Sequence, residues 1–337
     1  MIRVALDAMG GDNAPAVEIE GAVKALAELP ASFVIQLVGK TDAIEAELTK
    51  YPGLDRKRIE IHEAPEVIGM GEKPLAAVRK KRKSSLVIGL GLQKAGHSDA
   101  FVSAGNTGAV LAAGTVLLGL HAGVDRATVA TLFPTADRPA LVLDAGANVD
   151  CSARELLGFA HLGTVYMRDI MDRPRPKVGL LNVGEEEEKG SAMVKEAHAL
   201  LRQDPRINYV GNVEGRDLLG GHPKHGQLDV VVCDGFVGNV VLKFGESLML
   251  LVRHVAERTA PELWARKEIR AAFRVLDYSQ YGGAPLLGVK GVSIICHGSS
   301  NANAIRHAIR VAVQAVEVGL SQHIAAEFAE TAPQEQA

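Results

Sequence analysis

The 337-residue chain predicts an α/β fold on a mostly parallel sheet. Three observations predict it. Apolar runs of strand length recur along the chain, most of them lead into helical periodicity, and glycines collect where the runs end, as tight strand-to-helix turns require. Strands that alternate with helices pair in parallel and have both faces of their sheet covered.

The first predicted strand is 2–8. In the helix after it, Ile19, Ala22, Val23, Leu26 and Leu29 share one face by their spacing of three and four, with Glu18, Lys24 and Glu28 elsewhere. The other predicted strands are 33–39, 99–103, 140–144, 177–183, 229–234 and 292–296, and 110–118 and 191–201 read as helices. No Pro/Ser-rich linker divides the chain, so residues 1–330 are expected to form one α/β unit of two intertwined lobes, followed by a disordered tail at 331–337.

Lys+Arg 37 against Asp+Glu 40 leaves a net charge of -3, which argues against a general nucleic-acid binder, since phosphates need a concentrated basic surface. Cys151, Cys233 and Cys296 form no CxxC pair, so neither a disulfide framework nor a zinc ribbon is indicated. Nothing at the start resembles a signal peptide and no 18-residue apolar run occurs, so a cytoplasmic protein is expected. Phosphate-loop, dinucleotide and HExxH patterns are also missing, and neither cofactor nor metal is expected.

Five polar, glycine-bearing turns follow predicted strands: SAGNTGA from Ser103, DAGAN from Asp144, the segment from Asn182 to Gly190, DGFVGN from Asp234, and HGSSNAN from His297. Ligands of open α/β sheets collect beyond the carboxyl ends of the strands. Glycine with Asn or Asp also closes any ordinary turn, but five such turns point to a shared polar site. Lys189 can hold an anion there as a compact point charge, or merely offset the four glutamates before it. Cys233 and Cys296 read as thiol nucleophiles or as small buried side chains, and His297 as a base or as a structural residue.

Two segments carry charge information. Arg79, Lys80, Lys81, Arg82 and Lys83 are either an exposed helix face or a dock for an acidic partner. In 261–276, Ile269, Ala272, Phe273 and Leu276 face away from Arg266, Lys267, Arg270 and Arg274, with Trp264, the only tryptophan, on the flank. That pattern suits a helix lying in a membrane interface or one packing against a second subunit.

DAMGGD at 7–12, SAGNTGA, DAGAN, LLNVGEEEEKG at 180–190, VVCDGFVGN at 231–239, YGGAPLLGVKG at 281–291 and HGSSNANAI at 297–305 together resemble the bacterial phosphate acyltransferases of the PlsX family. The resemblance covers about residues 1–325 in the family's order. It implies an acyl-acyl carrier protein:phosphate transacylase of phospholipid synthesis, a homodimer with a fold similar to phosphate acetyltransferases and isocitrate/isopropylmalate dehydrogenases, a three-layer α/β/α sandwich. It further implies peripheral membrane association and delivery of acyl phosphate to a membrane glycerol-3-phosphate acyltransferase. By motif position, Lys189 would bind phosphate and Asn239 would orient the thioester or stabilise its oxyanion. Ser103, Asn106, Thr107, Asp144, Asn148, His297 and Ser299 would line the site, and Arg79–Lys83 would dock the carrier protein. A short-chain CoA phosphotransacylase, a dehydrogenase of the same fold and a non-catalytic scaffold are the alternatives.

Overall fold

The structure is a computed structural model that describes residues 1–135, 137–274 and 282–329. The chain forms two compact units. Met1–Ala127 with the described part of Tyr281–Ala337 makes the first, and the described part of Thr128–Gln280 makes the second.

In the first unit the strands run across the sheet in the order Ile59–Glu63, Phe33–Gly39, Ile2–Asp7, Ala100–Ser103, Val292–Ile295 and Ala284–Leu287. All neighbours are parallel except the last pair. Val4, Leu6, Phe33, Ile35, Phe101 and Val102 are fully buried, as strands covered on both faces must be. Helix Ala16–Glu28 buries Ile19, Ala22, Ala25 and Leu26 as its periodicity predicts. Glu18 departs from the expectation of a solvent-side charge, for it is only 1% exposed. Gly21 lets this helix close on Ile305 of helix Ala302–Glu317, where a Cβ would lie 2.5 Å from the isoleucine Cβ.

The second unit has its own sheet, in the order Thr131–Phe133, Ala140–Leu143, Val230–Val232, Lys177–Leu181, Asn208–Val213. Only Thr131–Phe133 is antiparallel to its neighbour. Helix Ala153–Asp169 starts at a capping box of Ser152 and Glu155 and packs its buried Leu156, Phe159 and Leu162 inward.

Helix Gly235–Thr259 is different, because by length and composition it could cross a membrane and only 11% of its most apolar stretch is buried. Lys243, Glu246 and Arg253 interrupt its apolar residues, which is why the sequence shows no continuous 18-residue run. Its N-terminus is seated tightly on the loop after Ala140–Leu143: a Cβ at Gly238 would collide with the Asp144 carbonyl oxygen. Gly238→Ala is therefore expected to destabilise the protein by about 1–3 kcal/mol, as overpacking does. Gly220→Ala, where a Cβ meets no atom within 4 Å, should change stability by no more than about 0.5 kcal/mol. Urea unfolding midpoints of the two variants test the difference.

Candidate active site

Three adjacent parallel strands of the second unit, Ala140–Leu143, Val230–Val232 and Lys177–Leu181, end on the same edge of the sheet. The turns after the first and third carry Asp144 with Asn148, and Lys189, and the helix after the second carries Asn239. This is the edge at which open α/β sheets place ligands.

Asp144 organises the first turn. Its Oδ1 accepts from the backbone N–H groups of Gly146 and Ala147, each at 3.1 Å, and its Oδ2 accepts from the Asn148 backbone at 2.7 Å and the Asn148 side-chain amide at 2.6 Å. Burial pushes the carboxyl pKa up, while these donors pull it down. The charge of Asp144 is thus engaged by its own turn. The second turn is tied to the first, with Gly235 N–H donating to the Asn148 carbonyl at 2.7 Å and Asp144 N–H to the Cys233 carbonyl at 2.9 Å.

The first N–H groups of helix Gly235–Thr259 are largely engaged. Gly235 N–H donates to Asn148, and the N–H groups of Val237 and Gly238 donate to Asp234. An anion near this helix must accordingly be held mostly by side chains. Asn239 is exposed, one turn into the helix, and its side chain lies over Gly146, whose missing Cβ would sit 3.3 Å from the Asn239 Cβ.

The third turn is held from inside by Asn182. Its side chain accepts from Val183 N–H at 2.8 Å and donates to the Lys189 carbonyl at 3.2 Å, and Gly190 passes over it at φ +91°, a conformation that favours glycine. Glu186, Glu187 and Glu188 are exposed, and three of the four glutamates meet different cations. Glu185 pairs with Lys224 at 3.0 Å, Glu187 with Arg202, and Glu186 stands 3.9 Å from Lys189 Nζ. Lys189 is left with its ammonium in solvent, 54% exposed, against one distant carboxylate.

Ser103, Asn106, Thr107, His297 and Ser299 belong to the first unit, where strands Ile2–Asp7, Ala100–Ser103 and Val292–Ile295 are likewise adjacent and parallel. Ser103 is fully buried and donates its hydroxyl to Asp7 at 2.8 Å, while accepting from Gly105 N–H at 3.0 Å. Asn106 caps helix Thr107–Ala113 by accepting from Ala109 N–H, and its amide donates to the Met70 carbonyl at 2.8 Å. Both side chains hold turns together. Thr107, His297 and Ser299 are exposed, and His297 Nδ1 lies 2.8 Å from Ser299 Oγ.

The thiols are poorly suited to nucleophilic work. Burial pushes Cys151 and Cys296 up to about 12 and Cys233 well above its ordinary value, so all three stay protonated near neutrality.

Asp7 and Glu18 went unnoticed as buried carboxylates. Asp7 ends a strand inside DAMGGD and receives the Ser103 hydroxyl and Met9 N–H. Glu18 Oε1 closes on Gly11, and burial raises its pKa to about 7, with the nearby charges of Asp7 and Asp12 adding to the rise. Since the folded value lies above the unfolded one near 4.5, the native state binds the extra proton between them. Glu18 thus favours the fold fully below its unfolded value, and this contribution fades as pH rises through about 7. Across that window the loss is on the order of 3 kcal/mol. Glu18→Gln should flatten the fall in stability between pH 5 and 8, as read from urea midpoints across that range.

Arg79, Lys80, Arg82 and Lys83 are exposed, but Lys81 turns inward, donating to the Val67 carbonyl at 2.7 Å and pairing with Glu72 at 2.6 Å. The described part of segment 261–276 is two helices, Pro261–Trp264 and Lys267–Arg274, not one. Trp264 donates its indole N–H to Glu257 at 3.1 Å and meets Phe273 edge-on at 5.1 Å, Ile269 is half-buried, and Leu276 lies outside the described residues. Helix Gly235–Thr259 also presents apolar side chains to solvent, with Phe244 68% and Leu250 66% exposed.

Solved phosphotransacetylases share the fold. The EutD phosphotransacetylase from Staphylococcus aureus matches with a TM-score of 0.60 at 15% identity, covering 94% of each chain. A phosphotransacetylase from Streptococcus pyogenes matches with a TM-score of 0.62 at 19% identity, again over 94% of each chain. The model of the family described as "Fatty acid synthesis protein" matches residues 2–323. The phosphate acyltransferase of Heliobacterium modesticaldum is 46% identical over 96% of this chain and 98% of its own, and that of Desulforamulus reducens 48% identical over 95% of each. Matched from end to end by that family and by enzymes of that activity, the chain belongs to the phosphate acyltransferase family of fatty acid synthesis proteins.

Proposed function

We propose that this phosphate acyltransferase moves a long-chain acyl group from an acyl carrier protein thioester to inorganic phosphate, using the sheet edge that carries Asp144, Asn239 and Lys189. A phosphate oxygen attacks the thioester carbonyl, the new C–O bond forms as the C–S bond breaks, and the phosphate's proton leaves with the thiol. Lys189 neutralises the incoming dianion. Asn239 donates its amide to the carbonyl oxygen as that oxygen becomes negative, which is where preorganised donors act most strongly. Asp144 and Asn148 hold the turn beneath Asn239, and Asn182 holds the loop of Lys189.

The observation that carries this reading is the placement of an exposed amide and an exposed ammonium after neighbouring parallel strands, the amide on a helix start capped by Asp234 and the ammonium on a loop braced by Asn182. Thiol release from acyl carrier protein, measured with and without phosphate, tests it. Release must depend on phosphate and yield acyl phosphate; release without phosphate refutes the transfer.

Carrier proteins of this kind are acidic, and the exposed Arg79, Lys80, Arg82 and Lys83 offer a complementary patch. Reversing these four charges while keeping Lys81, which braces the fold, should slow association by about 10-fold or more at low salt and weaken its salt dependence. Stopped-flow association rates at two ionic strengths check this. The exposed apolar side chains of helix Gly235–Thr259 supply a peripheral membrane contact, through which acyl phosphate passes to a membrane acyltransferase.

A further inference from the structure

Lys189 is held by both of its backbone polar groups. Its carbonyl accepts from Asn182, and its N–H donates to the Glu186 carbonyl at 3.2 Å. That same Glu186 carbonyl takes a second donor from outside the loop, the side-chain amide of Asn212, also at 3.2 Å. Asn212 is the penultimate residue of strand Asn208–Val213, is paired with Leu180 of strand Lys177–Leu181, and is only 4% exposed. A buried amide costs stability unless its hydrogen bonds are made. Here its donor reaches the Lys189 loop.

Behind Asn212 stands a directed chain of side chains. Asn212 Oδ1 accepts from the Tyr209 hydroxyl at 3.5 Å, and Tyr209 Oη lies 2.7 Å from His198 Nδ1. The phenol has one proton and gives it to Asn212, so His198 Nδ1 is the donor in the shorter contact. Burial, with the Glu187 charge adding to it, pushes the Tyr209 pKa well up, and the hydroxyl keeps its proton. His198 is buried on helix Ala192–Gln203 and turns Nε2 toward Glu187, 3.9 Å away, a carboxylate that Arg202 of the same helix also holds. Strand and helix thus grip the loop at two consecutive residues, Glu186 and Glu187. The Lys189 stem passes this anchoring outward, for it crosses Gly184 so closely that a Cβ there would lie 3.2 Å from Lys189 Cγ.

We propose that Asn212 is the positioning residue of Lys189, acting through the Glu186 carbonyl with Tyr209 and His198 behind it, and so sets where the ammonium meets phosphate. The proposal rests on the transacylase reading above and adds what aims its lysine. A lysine is a point charge on a flexible stem, and an ammonium that wanders meets the dianion in the reacting pose only part of the time. A misplacement of about 1 Å can cost on the order of 100-fold in rate. Two asparagines, Asn182 just after one strand and Asn212 in its neighbour, tie the residue to the sheet, which holds a site more tightly than a free loop does.

Asn212→Ala should lower kcat/KM for phosphate about 10-fold and leave KM for the acyl donor within about twofold. In a Lys189→Ala background the same substitution should cost less than about twofold more, because no ammonium remains to be aimed. Tyr209→Phe keeps the ring and loses only the longer link, so it should show the same pattern at about threefold. It carries the test if Asn212→Ala fails to fold. Asn208→Ala, on the same strand but donating to the Arg175 carbonyl, should stay within about twofold of the parent. Amide hydrogen exchange at Lys189 should quicken about 10-fold in Asn212→Ala and stay unchanged at the buried Val178 and Val231.

Equal losses with and without the Lys189 side chain overturn the proposal, since Asn212 would then brace the fold and not aim the ammonium. A loss confined to KM for the acyl donor, or unchanged exchange at Lys189, overturns it too, and each leaves the transacylase standing. A parent that releases no thiol in response to phosphate removes the transacylase instead. Faster Lys189 exchange in Asn212→Ala would then show the anchor holding the loop without that reaction, and unchanged exchange would remove both.

Discussion

Asn239→Ala is expected to slow phosphate-dependent thiol release by roughly 100- to 1000-fold, the cost of removing one donor from a developing oxyanion. The loss should fall on kcat more than on KM, because the amide interacts most strongly with an oxygen whose charge appears only in the transition state. Stability should barely change, since Asn239 is exposed and the helix start is fixed by Asp234 and by the seating of Gly238 on Asp144. Asn239→Asp sharpens the test. It keeps size and shape, loses the donor and sets a negative charge where phosphate must come, so it should be at least as inactive as alanine. Steady-state kinetics that show either variant within threefold of the parent would remove Asn239 from the chemistry.

The sequence was most legible where burial is most complete. All seven predicted strands exist, with no end trimmed by more than two residues, because strands covered on both faces read as plain apolar runs. Strands with an open flank escaped notice. Ile59–Glu63 alternates apolar and charged residues at one sheet edge, Asn208–Val213 closes the other sheet around Gly211 at φ +108°, and Thr131–Phe133 is a short antiparallel addition. Neither periodicity nor composition shows that Glu18 turns inward onto Gly11, or that Lys81 turns away from its four basic neighbours toward Glu72. Those orientations depend on partners distant in sequence.

The site follows the same division. Turn motifs located Asp144, Asn148, Lys189 and Asn239 on adjacent strand ends, but hydrogen bonding separates their tasks. Asp144 and Asn148 bind each other, whereas Asn239 and Lys189 present their polar groups to solvent. Trp264 shows the limit of pattern reading. Spacing put it on the flank of a single amphipathic helix, yet a break after Pro261–Trp264 folds it against Phe273.

Lys189→Ala should cost about 100-fold or more in kcat/KM for phosphate, since an ammonium that meets a dianion acts both in binding and in charge stabilisation. The effect must appear as a raised phosphate KM together with a lowered kcat, while KM for the acyl donor stays nearly constant. The substitution spares the loop, because Asn182 grips the Lys189 carbonyl and the Val183 N–H, not the side chain. Glu186 supplies the internal control. Among the described residues its carboxylate is the one that pairs with the ammonium, at 3.9 Å, and it competes with phosphate for it. Glu186→Gln should therefore lower the phosphate KM modestly, opposite in sign to Lys189→Ala. If both variants raised KM alike, the ammonium would be bracing the acidic loop rather than receiving phosphate, and the anion would have to be held elsewhere on the sheet edge.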